Sequence, residues 1–153
     1  VMLENFLDFI LWGHEHECLI KPQKSAKMDF HICQPGSPVA TSLCEAETRP
    51  KHVGILEVKG DKFRLTPMRL KNVRPFVMHS IELCKDNYPA LDYRSAESVS
   101  KTLKEEVVAL LKRSEEEYAG NELLPLLRLR VDHPEECPVP NPQRVGALFV
   151  GKV

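Results

Sequence analysis

Two histidines separated by one residue are the side chains of this sequence best suited to metal chemistry. They lie in Gly13-His14-Glu15-His16-Glu17, directly after an apolar run at residues 9–12. In extended backbone, residues i and i+2 project to the same side, so both imidazoles could reach one metal centre. Neutral imidazole is the commonest protein ligand for transition metals. The pattern therefore predicts that His14 and His16 bind metal, with Gly13 allowing the sharp turn after the strand.

The spacing of the two histidines also limits the kind of site. On a helix, side chains two residues apart would point about 200° away from each other. The zinc-protease pattern H-E-x-x-H is absent, because it needs a longer spacing between its histidines. Two solvated loop histidines are the plain alternative, and the pattern taken alone favours neither. Of the other histidines, His31 and His52 are more typical of structural residues, and we interpret His79 and His133 as surface residues.

Composition limits the partners of the chain. The 21 Lys and Arg against 22 Asp and Glu give a net charge of −1, so any nucleic-acid contact must use a local patch. Residues 49–74 hold eight basic residues against two acids, which fits either phosphate contact or a solvated hairpin face. No apolar run reaches the roughly 18–20 residues of a membrane span, so no membrane association is expected. The five cysteines form no C-x-x-C pair, which favours a reducing compartment over a disulfide framework.

Apolar periodicity predicts a β-rich first part of the chain. The run at residues 9–12 is continuous and short, which favours a strand buried on both faces. Two apolar runs flank Gly60-Asp61, a pair typical of a hairpin turn. The strands predicted in this part cover residues 9–12, 18–20, 30–33, 52–58, 62–70 and 73–83.

The second part of the chain predicts a β-α-β unit, and the whole an α+β fold. Residues 95–118 carry one apolar stripe at helical spacing, with Gly120 as a C-terminal cap. Residues 126–131 alternate apolar side chains with Arg128 and Arg130, as a half-exposed strand does. A proline-rich loop follows at residues 134–142, and the pattern does not decide between strand and helix for 144–153.

Five segments give the chain a resemblance to a known family. Residues 6–18, F-L-D-F-I-L-W-G-H-E-H-E-C, closely resemble the eukaryotic double-strand break repair nuclease of the meiotic recombination eleven family. Residues 34–43 are similar to that family's Q-P-G-S-S-V-x-T-S-L loop, with Pro38 in place of a serine. Residues 51–56 and 73–76 match further family segments, and residues 128–132 resemble the R-L-R-V-D strand of its DNA-capping domain. Residues 141–150 match the family's R-F-x-Q-K-F-V pattern only in part.

The resemblance implies two domains. Residues 1–76 would be the C-terminal portion of a metallophosphoesterase β-sandwich, and residues 77–153 most of a small β-α-β capping domain that binds DNA. Because Val1 is not Met and residues 148–150 form an apolar run, we expect a fragment of a longer protein.

The function implied by the resemblance is a manganese-dependent nuclease that processes DNA ends in double-strand break repair and meiosis. Its activities would be a 3′–5′ exonuclease and a single-strand endonuclease, with two Mn²⁺ ions per complete site. His14 and His16 would be metal ligands, Arg128 and Arg130 would contact DNA, and no residue of this chain is predicted to be catalytic.

The resemblance also implies partners and a place in the cell. These are DNA ends, a coiled-coil ATPase (Rad fifty), a nibrin-type adaptor, a second nuclease subunit in a homodimer, and the nucleus. We predict that the 153 residues alone are inactive, because the family's D-x-H, G-D and G-N-H-[DE] motifs and its first single histidine ligand would precede residue 1. The alternatives are a non-catalytic DNA- or partner-binding fragment and a generic metallophosphatase, which the match at residues 128–132 disfavours.

Overall fold

The computed structural model describes residues 6–147 and residue 149, and within them the chain has an α+β fold. Its contacts divide it into two compact units, Val1–Arg74 and Pro75–Val153, a division two residues before the predicted domain boundary. Within the described residues, no helix combines the length and apolar character that a membrane crossing requires.

The first unit is built from short strands, as the apolar runs predict. They are β1 (Phe9–Leu11), β2 (Leu19–Lys24), β3 (His31–Gln34), β4 (His52–Lys59) and β5 (Lys62–Arg69). A three-stranded sheet has the order β1-β3-β2, with β1 parallel and β2 antiparallel to β3. A separate hairpin joins β4 to β5 through Gly60-Asp61, and Gly60 has the positive φ of 61° that tight hairpin turns favour. Cys18, Ile20 and Cys33 form the buried core of the unit.

Two details of this sheet differ from the predictions. Residues 9–12 are not buried on both faces within the described residues, where Leu11 is 62% exposed and Trp12 41% exposed. In the described part of the chain, β1 lies at the sheet edge with β3 as its one neighbouring strand, so its outer side is not covered. β2 is longer than predicted and runs through Pro22, which an irregularity in the β2–β3 pairing between Leu19 and Gln23 accommodates.

The second unit is the predicted β-α-β crossover. The parallel strands β6 (Phe76–Glu82) and β7 (Leu126–Asp132) flank helix α1 (Ala96–Glu117). Ser95 caps the helix by accepting a hydrogen bond from the Ser98 N–H at 3.3 Å.

The core of the second unit lies between α1 and the strand pair. Leu83 and Val99 are fully buried in it, beside Ile81, Leu103 and Cys137. A short helix, α2 (Pro142–Ala147), begins the segment that the pattern left undecided. Residues 148 and 150–153, with the end of the partial family match at 141–150, lie outside the described residues.

Candidate metal centre and nucleic-acid interface

The segment that carries the two histidines, residues 12–17, is here called the histidine loop. It follows β1 directly, as predicted. The Trp12 N–H donates to the Cys33 carbonyl at 2.8 Å, and the Gln34 side-chain amide donates to the Glu17 carbonyl at 3.0 Å. The Ser37 N–H donates to the His16 carbonyl at 3.2 Å. Strand β3 and the loop after it therefore hold both ends of the histidine loop.

Gly36 explains why the two loops can lie so close together. Its φ is +72°, a conformation that side chains rarely adopt. A Cβ atom at this position would lie 2.6 Å from the His16 carbonyl oxygen and 2.7 Å from the Glu17 carbonyl. Glycine is therefore required both for the backbone conformation and for the close approach to the histidine loop.

The backbone at His14 corrects one step of the sequence argument. The sequence pattern predicts extended backbone from His14 to His16, with the turn at Gly13. The structure instead gives His14 the left-handed conformation, with φ 73°, and Gly13 an ordinary φ. Histidine is among the non-glycine residues found most often in this region. The turn therefore lies on a predicted metal ligand itself, and the i, i+2 rule for strands does not apply to the pair.

Among the histidines that the structure describes, His16 has the hydrogen bonds that best suit a metal ligand. Its Nδ1 lies 2.6 Å from Thr41 Oγ1 and 2.9 Å from Glu47 Oε1. A carboxylate only accepts hydrogen bonds, so the proton of the neutral imidazole lies on Nδ1 and Nε2 keeps its lone pair. Metal-binding histidines commonly donate their second ring N–H to a carboxylate in this way. The ring remains half exposed, with 49% of the His16 side chain accessible.

The Glu47 carboxylate is buried and densely hydrogen-bonded. Its side chain has no exposed surface, and it forms an ion pair with the buried Lys51 ammonium. Burial by itself raises the pKa of Glu47, but the hydrogen bonds around it, that of Lys51 foremost, hold the pKa well below the ordinary value of 4.5. Glu47 is therefore a fixed anion behind His16 at neutral pH. Its donors other than Lys51 and His16 are Ser37 Oγ at 2.7 Å, Thr41 Oγ1 at 2.7 Å, Thr41 N at 2.9 Å and Ser42 N at 3.2 Å.

Sequence reasoning did not single out Glu47. The residue lies in a short 3₁₀-helix, Glu45–Thr48, which carries a second glutamate, Glu45. The one signal that could have found it is the spacing of four residues to Lys51, which is common on protein surfaces and says nothing about burial.

The other histidines of the first unit have structural contacts. His52 Nδ1 lies 2.9 Å from the Pro50 carbonyl and 3.6 Å from Cys18 Sγ, a hydrogen-bonding role next to the core. The His31 ring packs edge-on against Phe63, with 5.0 Å between ring centroids. Within the described residues, no three His, Cys, Asp or Glu side chains are grouped so as to hold a metal ion. The two imidazoles of the histidine loop therefore stay the predicted metal ligands of this chain.

The two predicted DNA-contacting arginines lie on the exposed face of β7. Arg128 and Arg130 alternate with half-buried Leu129 and Val131, as the pattern predicted. The Arg130 guanidinium lies 3.4 Å from Asp132, and both side chains are more than half exposed. Such exposed pairs contribute little stability, so the Arg130 charge stays available to an anionic ligand.

The basic patch at residues 49–74 is less open than its charge count suggests. Lys51 is buried against Glu47, Arg49 pairs with Glu17, and Arg64 pairs with Glu57. At least three of its eight cations therefore neutralise carboxylates of the same unit.

Comparison with known proteins identifies the family. A family model described as the Mre11 DNA-binding presumed domain matches residues 63–153, which include β7 and both arginines. The chain is 47% identical to the double-strand break repair protein MRE11 of Oryza sativa subsp. japonica and 46% identical to that of Arabidopsis thaliana, over 99% of its length in each case. It is 40% identical to the MRE11 of Homo sapiens over 86% of its length. The chain belongs to the Mre11 family, as the motifs indicated, and spans 21%, 21% and 19% of these three relatives.

Proposed function

We propose that this chain is part of a double-strand break repair nuclease, to which it contributes two metal ligands and a DNA-contacting strand. The relatives are named as double-strand break repair proteins, which supports the repair role. The observation that carries the metal assignment is the hydrogen bond from His16 Nδ1 to the buried Glu47 carboxylate, at 2.9 Å. That contact sets the tautomer a metal ligand needs and leaves Nε2 with its lone pair.

His14 and His16 would hold the metal, and the remaining ligands would come from segments outside this chain. A pair of Mn²⁺ ions, when bound, would polarise a phosphodiester and lower the pKa of water. The residues of this chain would orient the metal ligands. Glu47 fixes the ring of His16, while the close approach of Gly36 sets the path of the backbone behind it.

DNA is the proposed substrate, and the second unit supplies the contact. Arg128 and Arg130 lie two residues apart on the exposed face of β7, so both guanidinium groups can reach successive phosphates of one backbone. Phosphate contacts carry no sequence information, which suits an enzyme that acts on ends of any sequence. The reactions proposed are 3′–5′ exonuclease and single-strand endonuclease cleavage.

The wider assembly follows from the family resemblance. We place the whole protein in the nucleus, as a homodimer with a Rad fifty-type ATPase and a nibrin-type adaptor, with a role in meiosis as well as repair. The 153 residues alone are proposed to be inactive, because they supply only two of the six or seven protein ligands that a two-metal site needs.

A substrate comparison tests the class of activity. The full-length protein is incubated with Mn²⁺ and, in separate reactions, a duplex with a recessed 3′ end, a single-stranded DNA circle and p-nitrophenyl phosphate. We expect cleavage of both DNA substrates and little release of p-nitrophenol. Rapid turnover of the small phosphoester with intact DNA would assign a generic metallophosphatase. DNA binding with no turnover of any substrate would assign a non-catalytic binding protein.

A further inference from the structure

A groove at the C-terminal end of α1 has no role in the proposed nuclease. It encloses about 320 Å³ and lies wholly within the second unit. Its apolar lining comes from the last turns of α1 and from the segment that leads into β7, chiefly Leu111, Leu123, Leu124 and Pro125. Leu123 and Leu124 are 47% and 44% exposed, so the apolar surface faces solvent. Exposed apolar surface around a concave site is typical of an interaction surface.

The charge of this groove is negative. Its lining includes Glu115 and Glu122 and no lysine or arginine. Neither carboxylate has a cationic partner within the part of the chain that the structure describes. The groove therefore combines apolar contact area with two uncompensated anions.

The position of the acidic residues strengthens this reading. Glu115 and Glu116 lie in the last turn of α1, which contains no basic residue. The C-terminus of a helix carries partial negative charge, so anions there destabilise it and cations stabilise it. The acidic turn therefore destabilises the C-terminal end of the helix. A cation bound in the groove would neutralise the glutamate charge and stabilise that helix end.

We propose that this groove, defined by Leu111, Glu115, Glu122, Leu123 and Leu124, docks a basic peptide segment of a partner protein. The segment would place one large apolar side chain between the leucines and its Lys or Arg residues against the two glutamates. A free cation would leave the apolar lining unused, so the lining favours a peptide. The two glutamates would repel the phosphates of a nucleic-acid backbone. The inference is independent of the proposed metal site.

Peptide selection on the full-length protein tests the proposal. A phage-displayed library of random dodecapeptides is selected on the wild-type protein, and the affinity of the enriched peptides is measured by fluorescence anisotropy. We expect sequences with Lys or Arg flanking a large apolar residue, and affinity that falls as salt rises. The double variant Glu115→Lys/Glu122→Lys should raise Kd at least tenfold, and Glu115→Gln/Glu122→Gln should raise it by less. Glu105→Lys, on an exposed position of the same helix, is the matched control and should leave Kd within twofold.

Several results would overturn the proposal. One is a library that yields no basic consensus, and another is a consensus peptide whose affinity is the same for wild type and both double variants. A fluorescent single-stranded oligonucleotide whose binding is weakened by Leu123→Ser would assign the groove to nucleic acid. Self-association that the Leu123→Ser variant abolishes would assign it to a second copy of the chain. Because all substituted positions are exposed, thermal melts of the variants should match wild type and separate loss of binding from loss of fold.

Discussion

Replacing Glu47 with glutamine is the sharpest perturbation of the site. The change keeps the size and shape of the side chain but removes the charge that faces Lys51. It also introduces an N–H donor among groups that already donate. Because the Glu47 side chain has no exposed surface and Lys51 is 5% exposed, water cannot replace the lost ion pair. Glu47→Gln therefore leaves a buried ammonium without its anion.

The size of the effect follows from these contacts. Breaking a buried ion pair while leaving one charge in place costs about 3–5 kcal/mol. That is a large share of the roughly 5–15 kcal/mol by which domains are stable. The amide also holds the Nδ1–H of His16 more weakly than a carboxylate does. Loss of such a partner typically lowers metal affinity by about 10–100-fold.

The assay is urea unfolding and Mn²⁺ titration of the full-length protein. Glu45→Gln is the matched control, because it makes the same chemical change on an exposed position of the same 3₁₀-helix. We expect Glu47→Gln to lower both stability and Mn²⁺ affinity, and Glu45→Gln to change neither. Normal Mn²⁺ affinity in a stably folded Glu47→Gln protein would refute the positioning role of this carboxylate.

Three further predictions concern stability. Because the folded state depresses the pKa of Glu47 below its ordinary value of 4.5, the carboxylate stabilises the fold above that pH, and this contribution is lost as pH falls below it. Urea unfolding midpoints measured from pH 7 to 3 should therefore fall in acid, and should fall less steeply for Glu47→Gln than for wild type. Equal slopes for the two proteins would contradict the assignment. Gly36→Ala should lower the free energy of unfolding by about 1–3 kcal/mol more than Gly60→Ala, since both glycines have positive φ but only at Gly36 would a Cβ contact backbone. Equal losses in the two variants would show that the backbone near Gly36 can shift to make room for the Cβ. Leu83→Ala should cost about 2–5 kcal/mol, because the residue is fully buried, and Leu123→Ala, nearly half exposed, should stay within about 0.5 kcal/mol.

The elements that the sequence predicted well are those specified by local patterns. The hairpin depended on Gly60-Asp61 between two apolar runs, and the structure places its turn there. The helix depended on a single apolar stripe, and α1 buries Val99, Leu103 and Leu110 of that stripe. In both cases the signal lies within a few residues of the element that it specifies.

The features that sequence reasoning missed depend on contacts between distant segments. Glu47 is 31 residues from His16, and nothing in its own neighbourhood marks it as the buried acid. The left-handed backbone at His14 lies in the histidine loop, which the loop after β3 approaches closely at Gly36. The exposure of Leu11 depends on which strands cover β1, which an apolar run does not specify.

The most direct test of the proposed function is nuclease activity of the full-length protein carrying His16→Ala, with DNA binding measured in parallel. The substrate is a duplex with a recessed 3′ end in the presence of Mn²⁺, and His79→Ala, at an exposed position of β6, is the matched control. We predict that cleavage falls by several orders of magnitude while DNA affinity is nearly unchanged, because binding rests on Arg128 and Arg130. Near-normal cleavage by His16→Ala would contradict the metal role, and a parallel loss of DNA binding would show that His16 supports the fold instead.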